Sequence, residues 1–91
     1  MATDAAAALE RFERHFFSDP RRRRNPAGSR TTWTSAYLPY LRRLREQAAS
    51  RELPLSDDLL LAVLESYPLA SRGRQQCGTA LAALARSEQI P

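Results

Sequence analysis

Hydroxyls, arginines and glutamines gather at two points of this 91-residue chain where a helix is expected to begin. One is Ser29-Arg30-Thr31-Thr32 and the other is Ser71-Arg72-Gly73-Arg74-Gln75-Gln76. Each brings hydroxyls, guanidinium groups and free backbone N–H groups to the positive end of a helix, an arrangement that grips phosphate. Arg and Gln also have the two-pronged shape that pairs with guanine and adenine edges in a major groove. A plainer reading stands beside this one: Ser71 caps its helix, and Arg72, Arg74 and the glutamines form a solvated face.

Other chemistries are poorly supplied. His15 is the single histidine and Cys77 the single cysteine, too few for a four-ligand zinc site. The three glycines, at 28, 73 and 78, make no phosphate-cradling loop. Asp57-Asp58 fall where acids stabilise a helix N-terminus, which explains both without catalysis. His15, beside Phe16 and Phe17, reads as a surface or interface residue, and Cys77, among small and apolar neighbours, as a buried thiol. No catalytic residue, metal or cofactor is expected in this stretch.

Charge narrows the partner. All 14 basic residues are arginine, and the net charge is +4. Residues 11–51 hold 11 arginines against Glu13, Asp19 and Glu46, whereas the segments on either side are each slightly acidic. Such an asymmetric basic face suits a phosphate backbone first, and an acidic protein or membrane surface second. No apolar run approaches the roughly 18–20 residues that span a bilayer. The start, Met1-Ala2-Thr3-Asp4, is not that of a secretory signal, so a cytoplasmic protein is expected.

The elements that must position these residues are helical, in one domain. Asp4 caps a first helix to Phe17, with Ala5, Leu9, Phe12 and Phe16 as its apolar stripe and a Glu10–Arg14 pair outside. Ser18-Asp19-Pro20 ends it. Residues 18–30, carrying Arg21, Arg22, Arg23 and Arg24, are expected to be an extended, mobile linker, because four adjacent arginines repel one another. A second helix covers about Thr31 to Ala49 on the stripe Trp33, Tyr37, Leu41, Leu44 and Ala48. Pro39 within it predicts a kink or a later start. Ser56-Asp57-Asp58 opens an apolar third helix that stops by Tyr67, before Pro68. Ser71 caps a fourth, to about Arg86, with Cys77, Ala80, Leu81 and Leu84 inward. Gly78 there predicts a close helix crossing beside Ala82 and Ala85.

The run from Thr31-Thr32-Trp33 through Tyr37-Leu38-Pro39-Tyr40-Leu41-Arg42-Arg43-Leu44, the Leu-rich third helix, and Ser71-Arg72-Gly73-Arg74-Gln75-Gln76-Cys77-Gly78-Thr79 resemble a known pattern. Together, over about residues 9–91, they are similar to the core-binding domain of tyrosine site-specific recombinases, the phage-type integrases. The resemblance implies a compact, all-α, four-helix orthogonal bundle of the SAM-like kind. It implies double-stranded DNA as partner, gripped by the second and fourth helices. The contacts would be Arg30, Thr31, Thr32, Arg42 and Arg43 from one, and Arg72, Arg74, Gln75, Gln76 and Thr79 from the other. Arg21 to Arg24 would add phosphate contacts. The family's catalytic Arg, His-x-x-Arg and tyrosine belong to a following C-terminal domain, and recombinases assemble as oligomers on DNA. Tyr37, Tyr40 and Tyr67 match no such motif. Ile90-Pro91, just past the fourth helix, suggests a piece cut at a linker.

Two other functions fit the residues. One is a helical protein-interaction module whose patch holds Leu38, Tyr40 and Leu60. The other is a helix-turn-helix regulator built on the third and fourth helices.

Overall fold

Asp4 does begin the first helix: its carboxylate accepts from the Ala6 N–H at 3.0 Å, satisfying a donor that the first turn leaves unpaired. The computed structural model describes residues 4–89, so Ile90-Pro91 lie outside the described residues. Helix α1 spans Ala5–Ser18 and buries Ala5, Ala8, Phe12 and Phe16. Glu10 and Arg14 form no ion pair. Arg11 instead meets Glu88, tying α1 to the far end of the last helix.

The basic stretch 18–30 is not an extended linker. It folds into α2 (Pro20–Arg23) and α3 (Pro26–Thr32). Each proline enters the first turn of its helix behind a capping side chain; Asp19 accepts from the Arg21 N–H and Asn25 from the Gly28 N–H. At that position a proline is preset for helix and forfeits no hydrogen bond. Two contacts then fasten the segment. The buried Ser29 hydroxyl donates to the Arg22 carbonyl at 2.9 Å, and the Arg22 guanidinium lies 4.1 Å over the Phe16 ring. Arg21, Arg23 and Arg24 stay exposed, where water and salt screen their repulsion.

Helix α3 runs without a break into a π-helical turn, Trp33–Tyr37, and on into α4, Leu38–Arg51. The long second helix therefore begins at Pro26 rather than Thr31. Pro39 accounts for the wide turn. It has no N–H to donate, and in a regular α-helix its ring would press on the carbonyl four residues back. Opening the preceding turn relieves that pressure; the Leu38 N–H reaches the Trp33 carbonyl, five residues back. The expected kink takes this form.

Helices α5 (Asp57–Glu65) and α6 (Arg72–Ser87) start where read, behind Ser56 and Ser71, each of which accepts from an N–H three residues on. The class is all-α, and no strand occurs among the described residues. The four longer helices, α1, α4, α5 and α6, share one core. Leu44, Leu59, Val63, Cys77 and Leu84 are its largest fully buried side chains. At one end Trp33 stacks on Tyr37 with ring centroids 5.8 Å apart, and Phe12 and Phe16 tilt against both.

Two local expectations change. Tyr40 and Leu60 are each only 8% exposed and belong to the core, with half-buried Leu38 packed on it, so these residues form no surface patch. Their place on α4 and α5 faces inward because both helices are packed on two sides. Gly78 meets no tight crossing: a Cβ there would sit 3.7 Å from Leu64 Cδ1, an ordinary contact. No helix among the described residues is long and apolar enough to cross a membrane.

Candidate nucleic-acid interface

The start of α6 is built from side chains that are far apart in sequence. Ser71 Oγ accepts from the Arg74 N–H at 3.1 Å, so the Arg72 and Gly73 N–H groups are the first-turn donors left without a partner inside the helix. Just before it, Tyr67 acts as an anvil. The Arg43 guanidinium, from α4, lies 4.5 Å over its ring. Tyr40, also from α4, meets the same ring edge-on at 5.7 Å. The Tyr67 carbonyl accepts from Arg74 Nη1 at 3.5 Å. Gly73 packs so close that an added Cβ would lie 3.2 Å from the Tyr67 ring.

Two of the expected contacts are thus committed inward as well as outward. Arg74 is half-buried on Tyr67. Gln76 accepts, through Oε1, a 2.5 Å hydrogen bond from the Tyr40 hydroxyl. Burial raises the Tyr40 pKa, and the neighbouring Tyr67 adds to the rise, so the hydroxyl keeps the proton it donates. Arg72, Gln75 and Thr79 remain exposed on one stripe of α6, with Arg86 further along it. The Thr79 hydroxyl is turned back onto the Gln75 carbonyl.

The structure therefore gathers Arg43, Arg72, Arg74 and Gln76 where α4 crosses the start of α6. It does not bring the other candidates there. Arg42 shares a shallow groove with Arg45, Glu10 and Glu13 between α1 and α4. Arg30 and Thr31 border a separate depression with Thr34 and Ser35. Thr32 lines a third cleft together with Arg21, Arg22 and Asn25; exposed Arg23 and Arg24 are not among its walls.

Ser29 to Thr32 is also no helix start. It is the last turn of α3 and continues into the π turn, where the Trp33 N–H bonds back to Ser29 and Arg30. Its amides are spent inside the helix and are not free for phosphate. The Thr31 hydroxyl likewise bonds to the Ala27 carbonyl at 3.1 Å. Only side chains, Arg30 above all, remain to act there.

Sequence reasoning passed over Tyr67, which carries the cluster. Its one local signal is the spacing Tyr67-Pro68 before the Ser71 cap, which places an aromatic ring under the first turn of α6. Among the described residues Arg11–Glu88 is the one ion pair, so the other arginines carry charge with no carboxylate bound to it.

No curated protein and no solved structure matches the chain. A family model does, over residues 6–91: that of the XisA/XisC excisase second domain. The likeness to recombination proteins noted in the sequence is met at that level, by an excisase domain and not by the integrase core-binding domain itself. Covering nearly the whole length and every helix described above, this match shows that the chain belongs to the family of XisA/XisC excisase second domains.

Proposed function

We propose that this domain grips duplex DNA for site-specific recombination, holding backbone phosphates at the crossing of α4 and α6. The observation that carries the proposal is the convergence of Arg43 and Arg74 on Tyr67, with Arg72 exposed beside them at the start of α6, in a family of excisase domains. Arginine suits the task because its guanidinium binds phosphate with two parallel hydrogen bonds. Arg43 and Arg74 are pre-set by their contacts with Tyr67, so less side-chain freedom is lost on binding. The exposed stripe Arg72, Gln75 and Thr79 then lies where base edges would be met. In this reading Arg30 and Arg21 to Arg24 add phosphate contacts from a second face, and cleavage belongs to a separate catalytic domain, as in integrases.

Duplex titrations over a salt series test the proposal. Affinity should fall steeply with salt, since each neutralised phosphate releases counterions. Arg43→Ala and Arg72→Ala should each lower the slope of log affinity against log salt by about 1 while leaving the fold intact. Binding without a salt slope, or slopes unchanged in both variants, would overturn it.

A further inference from the structure

We infer that the Pro68–Ala70 turn is an apolar probe that touches DNA beside the arginine cluster, with Leu69 as the contacting side chain. The inference rests on the DNA-gripping reading above. Leu69 is 80% exposed, while Leu53 and Leu61, the other exposed large apolar residues among those described, keep half or more of their surface covered. It is also held there by its backbone. The turn closes through the Ser71 N–H onto the Pro68 carbonyl at 3.2 Å, and the Ser71 hydroxyl donates to the same oxygen at 2.7 Å.

Ala70 adopts φ 61°, a left-handed conformation that non-glycine residues seldom hold. The other two such residues among those described, Glu52 and Gln89, follow the ends of α4 and α6, where that conformation is a common helix stop. Ala70 stops no helix. Its backbone serves to carry the chain sharply from Tyr67 into α6, and this leaves Leu69 standing out at the tip. Strain of this kind, kept where a glycine would remove it, is typical of segments that present a contact.

The occupant is chosen by what flanks the tip. Arg72 and Arg74 follow the turn directly, and Tyr67, which carries Arg43, precedes it. A protein surface apolar enough to cover Leu69 would also have to meet this concentration of positive charge. Duplex DNA offers both partners within one groove: phosphates for the arginines and thymine methyl groups or deoxyribose for the leucine.

The test compares wild type, Leu69→Ala and Leu69→Asn on one mixed-sequence duplex across a salt series. Both substitutions should weaken binding roughly tenfold at every salt concentration, the order expected for losing an apolar contact. They should leave the salt slope and the melting temperature unchanged, because Leu69 neither neutralises phosphate nor packs in the core. Replacing thymine by uracil in the duplex separates the two DNA groups. A wild-type loss that vanishes in Leu69→Ala identifies the thymine methyl; no loss identifies deoxyribose. Wild-type affinity in both Leu69 variants overturns the inference while leaving the arginine grip standing. Absence of salt-dependent binding by the wild type overturns both.

Discussion

Tyr40 and Gln76 join α4 to α6 by a single side-chain hydrogen bond. Replacing Tyr40 by Phe keeps the ring in the core and strips the donor, so unfolding free energy should drop by about 1 kcal/mol in denaturant titrations. The same hydroxyl gives the fold a pH dependence. The Cys77 thiol is pushed up by burial, and the Tyr40 phenol is pushed up by burial and by Tyr67. A group whose pKa is raised by folding favours the folded state only while protonated. Stability should therefore be full at neutral pH and fall as pH climbs past the ordinary thiol and phenol values, roughly 8.5 and 10. Denaturation midpoints at the two ends of that range check it, and Tyr40→Phe should shrink the fall. Single residues were legible in the sequence where their partners are close in the chain. Asp4, Ser56 and Ser71 cap as their spacing says. Tyr67 was not legible, because its ring is met by Arg43 and Tyr40 across two turns of chain and a whole helix.

Between α3 and α4, the π turn acts as one extra residue placed ahead of Pro39. Deleting the exposed Ser35 should force the turn to α-helical pitch and press the proline ring on the backbone, costing about 3 kcal/mol. Adding Pro39→Ala to the deletion should recover most of that loss; thermal melts of the two variants decide. Gly78 offers the opposite case. Its site has room for a methyl group, and Gly78→Ala should stabilise α6 by roughly 0.5–1 kcal/mol, read as a higher denaturation midpoint. Element boundaries failed in the sequence for one reason. Repulsion among four adjacent arginines predicts an extended chain, yet Pro20 behind Asp19 and Pro26 behind Asn25 each mark a helix start. The same cap-then-proline pattern turns the arginine run from a tether into a folded wall of the molecule.

At the level of the whole chain, the all-α class follows from apolar spacing along each helix, and periodicity reports that directly. Which basic side chains end up together does not follow from it, because helix crossings decide that. Arg42 and Arg43 are neighbours in sequence, yet one borders the α1 groove and the other rests on Tyr67. The aromatic cluster at the opposite end has a practical meaning. The chain has one tryptophan, and Trp33 is 6% exposed among Phe12, Phe16, Phe17 and Tyr37, none of which belongs to the arginine cluster. Its emission is a built-in optical gauge of folding, expected to be blue-shifted in the native protein and to move red on unfolding. Arg43→Ala and Arg72→Ala should keep the native, blue-shifted maximum, so a single fluorimeter cell separates variants that lose their grip from variants that lose their fold.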